Sequence, residues 1–182
     1  MEIMTDKATL RAKLLTGRAT LSEAQCETAN AAIAAHILNW WRQHPVTSLG
    51  VYWPMRREPD VRDAYAILAG LGVQLALPVV DGADLPLRFI AWTPGDALRK
   101  DGMGVSVPLS QTRCVQPEGL LIPCLGFTAA GLRLGYGGGF YDRTLAQEPR
   151  PLTVGIAYAA AEVSFAAEPF DVALECIITE LG

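Results

Sequence analysis

Residues 49–80, LGVYWPMRREPDVRDAYAILAGLGVQLALPVV, decide the fold. An apolar strand is predicted over 49–53 and a second over 73–80, and the charged loop between them leads into a helix that we expect Asp60 to cap. The predicted buried face of that helix consists of Ala64, Ile67, Leu68 and Leu71. A strand, a helix and a second strand in this order predict a right-handed βαβ unit with parallel strands.

Two helices are predicted ahead of this unit. The first covers residues 6–17 and is expected to end at Gly17. The second begins at a capping box formed by Ser22 and Gln25 and runs to about Arg42. Both segments carry apolar residues at helical spacing, which is typical of helices that pack on a core.

The alternation of strands and helices continues downstream. Further strands are predicted over 87–93, within 119–127, and over 152–158 and 173–179, and another helix begins near Phe140. The segment from Pro94 to Gly119 is rich in glycine, proline and polar residues and is expected to be mostly loop. These elements predict the α/β class with a largely parallel sheet. With 182 residues, 51% of them hydrophobic, one domain over 1–182 is expected.

Composition argues against several classes of protein. The net charge is −4, which predicts no basic surface for nucleic acid or an anionic membrane. No apolar run approaches the roughly 18 residues of a membrane helix, and the N-terminal MEIMTDKATLR lacks the apolar stretch of a secretory signal. Four scattered cysteines and two histidines argue against structural zinc and against a disulfide scaffold. We therefore expect a reduced, cytoplasmic protein.

The stretch GLRLGYGGGFYDR, residues 131–143, gathers five of the seventeen glycines between a predicted strand and a predicted helix. The N–H groups of Gly137, Gly138 and Gly139 can point at one spot beside the start of that helix. A positive φ is expected at Gly138, where a β-branched side chain would be strained. This arrangement predicts an anion site, and phosphate is the commonest occupant.

The acid at the end of this stretch refines the prediction. Asp142 would repel a phosphate in the same turn unless a cation lay between them, which points to Mg²⁺ and a nucleotide. Arg133, on the other side of the glycines, adds positive charge. The alternative is a surface turn in which Asp142 and Arg143 are simply solvated.

The same stretch strongly resembles the signature of the 5-formyltetrahydrofolate cyclo-ligases, also called 5,10-methenyltetrahydrofolate synthetases. Matching segments follow in the family's order: KATLR (7–11), VYWPMRREPD (51–60), LALPVV (75–80), IPCLGF (122–127) and FDVALECIITE (170–180). The resemblance implies a three-layer α/β fold and a reaction that needs ATP and Mg²⁺. In it, 5-formyltetrahydrofolate is cyclised to 5,10-methenyltetrahydrofolate through a phosphorylated formyl oxygen, and ADP and phosphate are released. We expect a monomer.

The resemblance also assigns residues to each ligand. The implied ATP-binding residues are Lys7, Arg11, Arg133, Leu134, Gly135, Tyr136, Gly137, Gly138, Gly139, Phe140 and Tyr141. The implied folate-binding residues are Trp53, Glu58, Tyr136, Gly137, Gly138, Gly139 and Phe140. Arg133 and Tyr141 are the implied catalytic residues, and Asp142 and Asp171 the implied magnesium ligands.

Three positions depart from the family's pattern. Asp is usual where Thr128 stands, Tyr is usual where Phe140 stands, and some members carry Lys where Gly138 stands. The glycine leaves the loop less positive, so the remaining basic residues, Lys7 and Arg11 among them, must supply more charge. These two are four positions apart and should leave one face of the first helix.

Two alternatives to this function stay open: a cyclo-ligase-like protein without folate turnover, and a nucleotide- or folate-binding module without catalysis. One geometric question is also open. Asp171 precedes the last predicted strand, and loops before strands normally lie at the amino edge of a parallel sheet. If Asp171 meets the metal of Asp142, the last strand must be antiparallel, or the loop before it must cross the sheet edge.

Overall fold

A computed structural model describes residues 6–182. The helices are α1 (Lys7–Ala19), α2 (Glu23–Gln43), α3 (Arg62–Gly70) and α4 (Phe140–Leu145). The strands are β1 (Ser48–Gly50), β2 (Gln74–Val79), β3 (Arg88–Ala91), β4 (Leu98–Lys100), β5 (Ser106–Pro108), β6 (Cys114–Val115), β7 (Gly119–Pro123), β8 (Gly126–Phe127), β9 (Arg133–Leu134), β10 (Leu152–Ile156) and β11 (Cys176–Ile178). The prediction that the N-terminus lacks a secretory signal rests partly on residues 1–5, which lie outside this range.

One sheet of seven strands organises the structure, in the order β11–β10–β7–β1–β2–β3–β6. The strands from β11 to β2 are mutually parallel, whereas β3 and β6 pair in antiparallel fashion at one end. Leu49 of β1 lies beside Leu75 of β2, and α3 connects these two strands. The predicted α/β class and mostly parallel sheet are confirmed.

Helices cover both faces of this sheet. On one face Ile37 of α2 and Leu68 of α3 pack with Leu49 of β1. On the other, Leu14 of α1 packs against a cluster that contains Ile122 of β7. Burying a side chain of this size stabilises the fold by about 1.5–3 kcal/mol, so both layers contribute. Among residues 6–182, no helix combines the length and apolar character needed to cross a bilayer.

The first helix differs from its predicted extent. Gly17 lies inside α1, which continues to Ala19, so the prediction that Gly17 ends the helix was wrong. The carbonyl of Gly17 accepts from the backbone N–H of Thr20, one residue past the true end. The capping box of α2 at Ser22 and Gln25 formed as predicted.

The start and the buried face of α3 also differ from the prediction. The N-cap position is Val61, one residue after the predicted Asp60. The Asp60 carboxylate nevertheless accepts from the backbone N–H of Arg62, the first helical residue, at 3.2 Å, and it also holds the Arg62 guanidinium in a two-pronged ion pair. Ile67 and Leu71 are 48% and 57% exposed, so their predicted burial was wrong. The helix turns Tyr65 inward instead, because its hydroxyl finds a partner in the Tyr52 carbonyl at 3.0 Å.

The segment predicted to be mostly loop contains three short strands. β4 and β5 pair as a hairpin, and β6 extends the main sheet beside β3. The expected strand over 49–53 pairs only over Ser48–Gly50, and Val51 and Tyr52 continue it as buried chain. These elements are two or three residues long, which is below the length at which periodicity identifies a strand.

Candidate active site

A cavity of about 750 Å³ opens at the carboxyl edge of the parallel strands. Every site residue predicted from the sequence lines it: Lys7, Arg11, Trp53, Glu58, Arg133, Leu134, Gly135, Tyr136, Gly137, Gly138, Gly139, Phe140, Tyr141, Asp142 and Asp171. The topology explains this convergence, because the segments that follow β1, β7 and β10 all leave the same edge of the sheet. The tip of the β4–β5 hairpin adds Met103 to the wall.

The glycine loop, residues 135–139, has two backbone positions that favour glycine. Gly137 has φ +100° and Gly139 has φ +67°, and Gly139 occupies the N-cap of α4. The prediction of a positive φ at Gly138 was therefore wrong, and the positive φ occurs instead at its two neighbours. A Cβ at Gly138 would lie 2.7 Å from the Phe140 ring, so close contact with that ring restricts this position.

Basic side chains surround the glycine loop. The Nε of Arg11 donates to the carbonyl of Gly135 at 2.8 Å, which ties α1 to the loop. Lys7, one turn earlier on α1, lies 2.7 Å from Asp171 and 3.3 Å from Glu168. Burial acts to lower the pKa of Lys7, but the hydrogen bonds that the ammonium donates to these two carboxylates, together with their negative charge, outweigh burial and raise the pKa. The ammonium group therefore stays charged at neutral pH.

Arg133, at the start of β9, also lines the cavity. Its guanidinium lies 3.7 Å from the Asp142 carboxylate and over the Tyr141 ring, 5.2 Å from the ring centroid. Burial raises the pKa of Tyr141, and the nearby Arg133 only partly offsets this, so the phenol is neutral and can donate a hydrogen bond. The 3.7 Å separation from Asp142 leaves the Arg133 guanidinium with donors free for an entering anion.

A buried carboxylate also lines the cavity, in contact with Tyr136 of the glycine loop. Glu58 is 5% exposed; its Oε1 accepts from the Tyr136 hydroxyl at 2.9 Å and its Oε2 from the Met55 N–H at 3.0 Å. Burial raises the pKa of Glu58, although these hydrogen bonds and the positive charges of Arg18 and Arg56 oppose the shift. Each carboxylate oxygen keeps a second lone pair for an incoming ligand.

Trp53 forms an aromatic wall near Glu58. Its ring meets the buried Trp92 ring edge-to-face at a centroid distance of 5.8 Å, and the Arg62 guanidinium lies 4.8 Å from its centroid. The indole is partly buried and lines the cavity, so it is held in place and still presents surface to a ligand. The lining of the cavity therefore includes both an aromatic ring and a carboxylate.

The two acids implied as magnesium ligands have different surroundings. Asp171 is already paired with Lys7 at 2.7 Å, whereas the contact of Asp142 with Arg133 is longer, 3.7 Å. Within residues 6–182 no group of three or more Asp, Glu, His or Cys side chains is placed to hold a metal ion. Mg²⁺ commonly binds one or two carboxylates together with substrate phosphates. The donor set fits a magnesium ion that arrives with a nucleotide and is held in part by Asp142.

Three arginines of the site were missed by the sequence prediction. Arg18 is 7% exposed and contacts the Tyr136 hydroxyl, and Arg56 lies 5.2 Å from the centroid of the Tyr136 ring. Arg143, assigned only to a solvated alternative, donates to the Gly138 carbonyl at 2.8 Å. One signal for Arg18 was available, since it is seven residues after Arg11 and therefore on the same helix face.

Comparison with known proteins identifies the family. The sequence pattern of the 5-formyltetrahydrofolate cyclo-ligase family matches residues 3–180. The chain belongs to this family. A 5-formyltetrahydrofolate cyclo-ligase of Mycolicibacterium smegmatis is 30% identical over 95% of this chain and 93% of its own length. One of Haemophilus influenzae is 29% identical over 91% of this chain and 92% of its own length.

A solved structure gives the same answer for the whole cyclo-ligase fold. The 5,10-methenyltetrahydrofolate synthetase of Mycoplasma pneumoniae superposes with a TM-score of 0.82 at 26% identity, covering 97% of this cyclo-ligase and 99% of that chain. The resemblance inferred from the glycine stretch is thus confirmed at the level of family and fold. The cavity lining of this chain combines basic side chains, an aromatic ring and a buried carboxylate.

Proposed function

We propose that this chain cyclises 5-formyltetrahydrofolate to 5,10-methenyltetrahydrofolate and converts ATP to ADP and phosphate in the same turnover. The observation that carries the proposal is that residues from four separate parts of the chain, all matched to the family pattern, line one cavity. The volume of about 750 Å³ lies within the range of about 300–1,000 Å³ that is typical of ligand pockets.

The proposed reaction has two chemical steps. The formyl oxygen attacks the γ-phosphorus of ATP and ADP leaves, which turns a poor leaving group into a phosphate ester. N10 of the folate then attacks the formyl carbon, N10 loses its proton, and phosphate leaves with the former formyl oxygen. Such phosphoryl transfer depends on positioning and charge neutralisation more than on a protein nucleophile.

The glycine loop and the basic side chains around it form the proposed nucleotide site. Lys7, Arg11 and Arg133 would neutralise the phosphates, and the glycine loop would let them approach the backbone closely. Support comes from the hydrogen bond between Arg11 and the Gly135 carbonyl, which holds the helix against the loop. The family resemblance implies a lysine in some members where Gly138 stands. Without that lysine, Lys7, Arg11 and Arg133 would supply the positive charge that binds the phosphates. Arg133 and Tyr141 are the proposed catalytic pair, because both line the cavity and the Arg133 guanidinium lies 5.2 Å from the centroid of the Tyr141 ring.

The part of the cavity lined by Glu58 and Trp53 is the proposed folate site. Glu58 would accept two N–H groups from the amino-pyrimidinone edge of the pterin, and Trp53 would pack against its ring. The spare lone pairs of Glu58 support this assignment, as does its burial at the cavity wall. Tyr136 of the glycine loop and Phe140 at the start of α4 both line the cavity and are proposed to contact both ligands.

Magnesium is proposed to enter with ATP. It would supply charge neutralisation of the phosphates when bound, with Asp142 as the protein ligand. Asp171 is proposed to act on Lys7, which it contacts at 2.7 Å, although the family resemblance implies a direct metal role. We also propose a monomer and, in keeping with four free cysteines, a cytoplasmic location.

The test is turnover by the purified chain. With ATP, Mg²⁺ and 5-formyltetrahydrofolate present, methenyl absorbance should rise, and omission of either substrate should abolish the rise. Thermal shifts with each ligand alone and with both identify a non-catalytic protein, since ligands that bind the native state raise its apparent stability. Thermal shifts with both ligands but no turnover would establish a binding module. A shift with ATP, no shift with the folate and no turnover would establish a relative without folate turnover.

A further inference from the structure

Arg18 is a buried arginine that the proposed reaction does not use directly. It lies at the C-terminal end of α1 and is 7% exposed, although arginine is rarely buried without specific partners. Its Nη1 donates to the Tyr136 hydroxyl oxygen at 2.9 Å, and its Nη2 donates to the Cys124 carbonyl at 3.1 Å. A longer contact of 3.5 Å reaches the carbonyl of Arg56.

The direction of these hydrogen bonds is fixed by chemistry. Arginine can only donate, so the Tyr136 oxygen must accept from it. Tyr136 has a single hydroxyl proton, and the neighbouring acceptor at 2.9 Å is Oε1 of Glu58. Arg18 therefore forces the tyrosine to donate towards the carboxylate. The second oxygen of Glu58 is fixed by the Met55 N–H, so both oxygens have defined orientations.

The same helix carries the proposed phosphate-binding residues. Lys7, Arg11 and Arg18 are separated by four and seven positions and lie on one face of α1. Lys7 and Arg11 line the cavity, while Arg18 lies behind it and reaches it through Tyr136 of the glycine loop. The helix thus connects the proposed nucleotide site to Glu58 through two hydrogen bonds. One runs from Arg18 to the Tyr136 hydroxyl, and the other from that hydroxyl to Glu58.

We propose that Arg18 is a positioning residue for folate recognition, acting through the Tyr136 hydroxyl to hold Glu58 as an oriented acceptor. This inference rests on the proposed folate site, and it adds a residue that does not line the cavity. It predicts that Arg18 and Tyr136 affect folate affinity as one unit, and that neither changes ATP affinity to the same extent.

The experiment measures the affinity of 5-formyltetrahydrofolate and of ATP by calorimetry for Arg18→Met, Tyr136→Phe and the double variant. Folate affinity should fall by about tenfold or more in each single variant, because a charge-assisted hydrogen bond is lost or misdirected. The double variant should be no weaker than the weaker single variant, because the two act in series. ATP affinity should change by less than the folate affinity does.

Rescue and control variants complete the test. Arg18→Lys keeps one donor and should recover part of the folate affinity. Arg42→Met, an exposed arginine on α2, should leave both affinities unchanged. Independent losses that add in the double variant, equal losses for ATP and folate, or unchanged folate affinity in Tyr136→Phe would each overturn the proposal. Tyr136→Phe decides the matter if Arg18→Met fails to fold, since this side chain is 36% exposed. Wild-type protein that binds no folate would instead refute the proposed function.

Discussion

The carboxylate of Asp171 lies 2.7 Å from the ammonium of Lys7, so the connection between β10 and β11 reaches the start of α1. β11 is parallel to β10, and the segment that precedes it crosses the carboxyl edge of the sheet before the chain returns. Of the two geometries that could bring Asp171 to the site, the crossing loop is therefore the one that occurs. Both side chains are largely shielded from solvent, so salt screens their attraction less than that of an exposed ion pair.

This contact separates the roles of the two acids. Asp171→Asn should weaken ATP binding several-fold, because Lys7 loses the nearer of its two carboxylate partners and is no longer held in place. The Mg²⁺ concentration for half-maximal rate should stay unchanged. Asp142→Asn should raise that Mg²⁺ concentration and lower the rate severely, with partial rescue by excess metal. Steady-state rates over a Mg²⁺ titration measure both effects, and the exposed Asp63→Asn serves as the control. A raised Mg²⁺ requirement in Asp171→Asn would show that Asp171 serves the metal instead.

Glu58→Gln should weaken folate binding while leaving ATP binding unchanged. An amide offers one carbonyl oxygen and cannot accept both pterin N–H groups, so the loss should be roughly 1.5–3 kcal/mol of binding free energy. Calorimetric titration with each ligand measures the difference. Glu27→Gln removes an exposed acid on α2 and should change neither affinity. Unchanged folate affinity in Glu58→Gln would remove Glu58 from the site.

Folate affinity should also depend on pH through Glu58. Burial raises the pKa of this carboxyl above its ordinary value of 4.5, so its ionised form is lost at a higher pH than that of an exposed glutamate. Folate affinity should fall as the pH decreases through this raised pKa, and Glu58→Gln should remove that step. Because the native chain holds the proton more tightly than the unfolded chain, the stability contribution of Glu58 falls as the pH rises over the same interval. A pH profile identical in wild type and variant would contradict the assignment.

Gly138→Val should block ATP binding without unfolding the protein. The added Cβ would lie 2.7 Å from the Phe140 ring, and the branched side chain would fill space proposed for the phosphates. ATP affinity should fall by about tenfold or more, measured by calorimetry on protein whose thermal unfolding remains cooperative. Gly70→Val adds the same side chain where no atom lies within 4 Å, and it should leave ATP affinity intact. Normal ATP affinity in Gly138→Val would mean that the loop only turns the chain.

The sequence predicted the parts of the fold whose signals are local. The capping box at Ser22, the alternation of strands and helices, and the glycine stretch each depend on residues close together in the chain. Burial on α3 was harder to predict, because the choice between Tyr65 and Ile67 depends on the Tyr52 carbonyl that receives the tyrosine hydroxyl. Short strands such as β6 exist only because a neighbouring strand offers pairing partners.

The candidate site shows the same division. Lys7 and Arg11 could be assigned from a segment that resembles the family, and both line the cavity. Arg18 carries no motif, and its importance appears only when α1 packs against the loop that holds Tyr136. The pairing of Asp171 with Lys7 spans 164 positions and depends on the course of the loop before β11. Contacts at such separation are set by tertiary packing, which local pattern does not encode.

The most direct test of the account follows the formyl oxygen. With 5-formyltetrahydrofolate labelled with ¹⁸O at the formyl group, the purified chain, ATP and Mg²⁺, the released phosphate is analysed by mass spectrometry as methenyl absorbance rises. The account predicts one labelled oxygen in each phosphate released, because the formyl oxygen attacks the γ-phosphorus and leaves with it. Methenyl formation with unlabelled phosphate would contradict this route, and absence of methenyl formation would contradict the proposed function.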